Sequence, residues 1–411
     1  MPASTDAIDP DTEPSGERVD APRAVVAAPA PSGTAPELWA ELSALPLVDH
    51  HTHGVVTHDL GRAEFEGFIS ESDVAAADGT TTFDSQLGFA VRRWCAPVLD
   101  LPAFAEADDY LARRAELGAA EVNARLLQAS GIGAYLLDTG HRAGEIYGPD
   151  EMADVGRASA HEIVRLESIV EELVRGGIDA ASLRTTMSHE LSRRLRTAVG
   201  VKSIAAYRIG LDFDPARPSA EEVDEAAGAW IARCRWKQSV RLDDPVLIRA
   251  GLWNAVDHAT AVQFHVGFGD PDVDLARVNP LCLTDFLRRT RGSGIRVMLL
   301  HCYPFHREAG YLAHVFEHVY SDVGLAVNYV GSQAPGIIAE SLELTPFAKS
   351  LFSGDAFGVP ELHYLGAHLF RRGLAETLTA WAARDDWPVA EQVRVARMVG
   401  RENAVRAYRL P

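Results

Sequence analysis

Leu47-Val48-Asp49-His50-His51-Thr52-His53-Gly54 is the stretch on which the reading of the fold turns. Leu45, Leu47 and Val48 form a short apolar run, the pattern of a buried strand. The run ends in Asp-x-His-x-His and a glycine. Strand side chains alternate between faces, so His51 and His53 project to the same side. Two imidazoles side by side in an apolar surround are costly to bury unless something binds both. A divalent cation is the usual partner of neutral imidazole. A histidine-rich loop is the plain alternative, and only matching groups elsewhere in the chain decide between them.

Outward from that stretch the chain alternates strand and helix patterns. Phe65-Glu66-Gly67-Phe68-Ile69 is read as a second strand, followed by a helical insertion over about 70–130 of the kind that covers a site as a lid. Ile132 to Leu137 is a strand ending in Asp138-Thr139-Gly140, and His161 to Arg175 and Leu183 to Ala198 read as helices. Further strands run from Val199 to Ala206, Ala259 to Val266, Arg296 to Leu300, Val319 to Leu325 and Ser350 to Ser353, separated by helices. Eight apolar strands alternating with helices predict an α/β fold with a parallel sheet closed into a (β/α)8 barrel, the TIM-barrel architecture, with function at the C-terminal strand ends. An open doubly wound sheet is the rival, and no glycine-rich phosphate loop supports it.

Those strand ends carry polar groups. After His51 and His53 come Lys202 on the fourth strand, His265 on the fifth, His301 on the sixth and Asp355 on the eighth. Singly, His265 and His301 could be core histidines bonded to carbonyls, and Asp355 a turn cap. Jointly, one shared cation accounts for all of them. Lys202, in an apolar strand where an unpaired ammonium is costly, is open to three readings: a bridging ligand if carboxylated, a carboxylate binder, or a lysine paired with an acid. Arg208, beside Tyr207, suggests an anion site, a surface ion pair being the alternative.

Composition bounds the rest. A length of 411 residues allows one large barrel or two ordinary domains, and a 47% hydrophobic fraction supports a sizeable core. The formal charge of −19 argues against nucleic acid or an anionic membrane as partner. No apolar stretch is long enough to span a bilayer. Residues 1–37 lack Phe, Trp, Tyr and Leu, and their seven acidic side chains face only Arg18 and Arg23. They are expected to be a disordered tail, leaving 38–411 as the barrel domain. Without a secretory signal, and with Cys95, Cys234, Cys282 and Cys302 scattered, the cytoplasm is the expected compartment.

Several longer motifs carry a family resemblance: Asp49-x-His51-x-His53, Gln263-Phe264-His265-Val266-Gly267-Phe268-Gly269-Asp270, Leu299-Leu300-His301-Cys302-Tyr303-Pro304, Arg307-Glu308-Ala309-Gly310-Tyr311-Leu312-Ala313 and Ser353-Gly354-Asp355. With them the chain resembles the amidohydrolase superfamily over roughly 36–411. More narrowly it is similar to the branch found alone in bacteria or fused ahead of a glutamine-synthetase-like domain. The resemblance implies a divalent metal, zinc before others and as one ion or two, held by His51, His53, His265 and Asp355, with Lys202 joining if carboxylated. It implies catalytic roles for Asp355, which takes a proton from water, and His301, which polarises the substrate or holds a second ion. The expected reaction is hydrolysis of a C–N bond in a small carboxylate-bearing amide, a γ-glutamyl amide among the candidates. Arg208 or Arg307 would grip the carboxylate, and Tyr303 and Phe268 would shape the pocket. Metal-dependent decarboxylases and sugar-acid isomerases share much of the pattern, and a non-catalytic metal-stabilised binding protein is the remote alternative. Barrels of this kind often self-associate, so a homo-oligomer is an open expectation.

Overall fold

The computed structural model describes residues 29–411. Seven parallel strands lie in chain order: β1 (Leu47–Thr52), β2 (Ile132–Asp138), β3 (Ser159–Arg165), β4 (Gly200–Ser203), β5 (Ala261–Val266), β6 (Arg296–His301) and β7 (Val319–Ser321). The ring is completed by the extended chain at 350–356. Leu351 N donates to Ser321 O at 3.0 Å on the β7 side. On the β1 side His50 N donates to Phe352 O at 3.1 Å and His53 N to Ala356 O at 2.9 Å. The architecture is therefore the expected α/β barrel, with an eighth segment bonded on both flanks.

Two expectations about individual strands are corrected, and they offset each other in the count. Residues 65–69 are not a strand; they end the helix Arg62–Phe68 and its cap. Phe65, Phe68 and Ile69 stand at i, i+3 and i+4, a helical face, and Phe65 is buried against Phe83 and Tyr110. Conversely, the helix expected from His161 starts only at Leu166, because Ser159–Arg165 is β3. Its first half is polar and half-exposed, so the strand alternation is hidden and the helical period of Leu166, Ile169 and Val170 dominates the pattern.

Strands covered by helices on the outside and by each other within are buried on both faces, as every residue of β1 is. Inside the ring Val48, Leu136, Ile163, Met298, Leu300 and Leu351 pack on Ala404, Ala407 and Tyr408 of the C-terminal helix Asn403–Tyr408, which plugs one end. That leaves the opposite end, at the strand C-termini, for chemistry. Phe68, just before the insertion, and Glu71 and Asp73, at its start, line the cavity there.

The expected tail falls mostly on residues 1–28, outside the described residues. Over its last part Arg372 Nη1 donates to Pro29 O at 2.8 Å, and a helix begins at Pro36. Among the described residues no helix is long and apolar enough to cross a membrane.

One close approach governs the loop after β5. Gly267 has φ +75°, and a Cβ there would lie 2.2 Å from the Tyr303 carbonyl oxygen. Gly267→Ala is therefore expected to lower stability by more than ~1 kcal/mol, read as a reduced urea midpoint with unchanged slope. A midpoint equal to that of the parent would refute the packing described.

Candidate active site

The site grows from β1. Gln263 on β5 donates through Nε2 to the His50 carbonyl (2.7 Å) and contacts the Tyr408 hydroxyl (2.9 Å), so its Oε1 faces His51 Nδ1 at 2.9 Å. An amide oxygen only accepts, so His51 Nδ1 carries the proton and Nε2 keeps its lone pair. His53 is set the same way: its Nδ1 donates to the Asp138 carbonyl at 3.2 Å. Both Nε2 atoms then look toward one carboxylate oxygen, Asp355 Oδ1, at 3.1 Å from His51 and 3.7 Å from His53.

The other strand ends converge on the same place. His301 Nδ1 stands 3.2 Å from Asp355 Oδ2 without hydrogen-bond alignment, and the atom is buried with no partner. The His265 ring lies 4.7 Å from that of His301, and its buried Nε2 also lacks a partner. Lys202 Nζ donates to His51 Nε2 at 3.2 Å. Two groups of three possible ligand atoms lie within 4.8 Å of one another: His51, His53 and Asp138, and His51, His301 and Asp355. His265 belongs to neither group and sits one ring farther out, against Tyr207 (4.4 Å between centroids).

The backbone is bent to achieve this. His301 (φ 68°), Cys302 (φ 55°) and Asp355 (φ 44°) are all left-handed, a conformation that costs non-glycine residues about 1–3 kcal/mol and gathers at functional sites. Asp322 holds the bend at His301. Its Oδ1 accepts from His301 N (2.9 Å), Gly324 N (2.7 Å) and Ser353 Oγ (3.0 Å), while Oδ2 meets His50 Nε2 at 2.8 Å.

Burial sets the charges. It holds His51, His265 and His301 well below the usual histidine range and His53 down at about 3, so all four are neutral bases. Burial also lowers Lys202 to about 8 and raises Asp355 well above the usual carboxylate range. A divalent cation fits this donor set. Lone pairs on two fixed imidazoles face a carboxylate at contact distance, and such acceptors repel unless a proton or a cation lies between them.

Around this centre lies a cavity of about 710 Å³. Arg208 lines it, its side chain 10% accessible and its Nη2 3.2 Å from Glu171. Phe268 and Tyr303 do not line it. Phe268 instead backs a wall residue, its ring 5.3 Å from that of Tyr329, and Tyr303 stacks on His306. The expectation for Arg307 is corrected: it lies on the surface, paired with Glu343 at 2.9 Å and Glu340 at 3.1 Å, because its helix points it away from the ring.

Sequence reasoning missed several wall residues. Arg165 ends β3 and grips Asp138 through Nε (3.1 Å) and Nη2 (2.6 Å). His141, three residues past Asp138, packs 5.6 Å from His53 and is held near 4, chiefly by burial. Recognising β3 would have flagged Arg165 as a strand-end charge. Asp138-Thr139-Gly140-His141 carried the signal for His141 at an already recognised strand end. Tyr329 and Glu71 gave none.

A family model described as Amidohydrolase matches residues 48–410. The protein fluG of Emericella nidulans is 27% identical over 403 residues, covering 89% of this chain and 46% of that protein, so the chain spans about half the length of this relative. A Lactobacillus casei crystal structure described as a metal-dependent hydrolase aligns with TM-score 0.77 at 28% identity, over 89% of this chain and 95% of that one. A Bacillus halodurans uronate isomerase shares the fold, with TM-score 0.59 at 15% identity over 90% and 95% of the two chains.

Proposed function

The chain belongs to the amidohydrolase family, and from that premise we propose that it is a metal-dependent hydrolase cleaving a C–N bond in a small carboxylate-bearing amide, such as a γ-glutamyl amide. The observation that carries the reading is the pair of tautomer-locked imidazoles, His51 and His53, facing Asp355 Oδ1. The description of the Lactobacillus casei neighbour supports it.

In this reading His51, His53 and Asp355 would hold a divalent metal, zinc by preference, with His265 beside them. When bound, the ion supplies a Lewis acid and acidifies the attacking water. Asp355 accepts the proton of that water and passes it to the leaving nitrogen. His301 hydrogen-bonds the substrate carbonyl as negative charge develops on its oxygen. Arg208 binds the substrate carboxylate. Lys202, whose Nζ lies 3.2 Å from His51 Nε2, would remain an amine beside one ion and, if carboxylated, would offer ligand oxygens to a second.

A product assay separates the rivals. Amine or ammonia release marks the hydrolase, carbon dioxide a decarboxylase, and neither, with substrate consumed, an isomerase. Carbon dioxide or an isomerised sugar acid as the product would overturn the C–N reading.

The Gln263 bond gives a further prediction. Gln263→Leu frees the His51 tautomer, and losing such a support typically lowers metal affinity about 10–100-fold. Competition against a chelating dye measures this, and an unchanged affinity would contradict the role given to Gln263.

A further inference from the structure

Opposite charges line the catalytic cavity. Arg208 is nine-tenths buried and spends Nη2 on Glu171, yet its Nε and Nη1 are buried without partners. Two unpaired guanidinium donors at a cavity wall call for an anionic ligand. The same cavity is lined by two carboxylates with no ion-pair partner among the described residues. Glu71, on the insertion, bonds the Tyr329 hydroxyl, and burial together with neighbouring Asp270 raises its pKa. The Asp270 carboxylate accepts the Asp272 amide at 2.9 Å. Arg241 ties this loop to the arginine: its Nη2 pairs with Asp272 at 3.0 Å and donates to the Tyr207 carbonyl, next to Arg208, at 3.3 Å. Tyr207 in turn feels the charges of Asp270 and Glu71. Arg241 acts on Asp270 but is already paired with Asp272, and no cation is paired with Glu71 among the described residues, so this partly buried carboxylate pair is matched by a ligand that brings a cation.

We infer that this cavity recognises an α-amino acid head group, the Arg208 guanidinium taking the carboxylate and Glu71 with Asp270 taking the ammonium. The substrate is then a zwitterion rather than a plain carboxylate. This deepens the hydrolase reading and rests on it only in assigning the head group to the substrate.

The test is calorimetric titration of the metal-loaded full chain with L-glutamate and with glutarate, the same skeleton without the ammonium. Glutamate binds about tenfold tighter or more, as expected for one charge-assisted contact. Glu71→Gln and Asp270→Asn bring that ratio toward one, and Arg208→Gln weakens both ligands. The ratio is insensitive to a general loss of folded protein, so a merely structural role for the acids leaves it unchanged. Equal or tighter glutarate binding, no binding of either ligand, or a ratio unmoved in both acid variants overturns the inference. A glutamate preference without amine release from γ-glutamylmethylamide removes the C–N reading and leaves the head-group assignment standing. Amine release without the preference does the reverse.

Discussion

Asp355→Asn keeps its metal and loses turnover by roughly 10²–10⁴-fold, the range set by removing a positioned acid–base group. The substitution preserves an oxygen beside His51 Nε2, where Asp355 Oδ1 now lies at 3.1 Å, and preserves the backbone bond from residue 355 N to His51 O. What disappears is a group able to take a proton and return it. The loss therefore falls on kcat more than on KM. Metal analysis and amine-release kinetics on the same preparation check both halves of the statement. Full turnover in the variant would remove Asp355 from proton transfer.

Glu361→Ala is expected to cost about 3–5 kcal/mol of folding stability, the usual price of breaking a buried ion pair from one side. Glu361 is fully buried, one residue before Leu362 of the cavity wall. It accepts from Arg114 Nε at 2.6 Å and Nη2 at 3.1 Å, and from the Tyr110 hydroxyl at 2.7 Å. These bonds fasten the insertion helix Ala107–Leu117 to the long helix Pro360–Asp385. Removing the acid strands a buried guanidinium, whereas replacing both partners, as in Arg114→Met with Glu361→Leu, restores much of the loss. Chemical denaturation of the single and double variants decides. A double variant no more stable than Glu361→Ala would show that the cost lies in lost packing instead.

The sequence was most informative where one residue type has few reasons to occur. Histidines ending apolar strands have few uses besides binding or catalysis, so the sequence alone points His51, His53, His265 and His301 to the ring's mouth. The barrel itself followed from strand–helix alternation, because parallel strands buried on both faces write continuous apolar runs. Legibility failed where the pattern was mixed. Ser159–Arg165 starts as polar strand and runs directly into an amphipathic helix, so the helical period hides the strand and the charge of Arg165 at its end. Phe65 to Ile69 was too short for its helical spacing to outweigh its β-prone residues. Side chains reaching the site from the insertion, Glu71 above all, were invisible because no local pattern fixes where a covering loop comes to rest. Arg307 failed for the opposite reason: a motif can be recognisable while its charged member serves a surface ion pair.

Elemental analysis of the chain purified without added metal addresses the central claim, that neutral imidazoles and a carboxylate from separate strand ends hold a common divalent cation. About one equivalent per chain is the predicted result, rising to two if Lys202 is carboxylated, and alanine at both His51 and His53 should abolish it. Fully active protein containing no divalent metal would contradict the account.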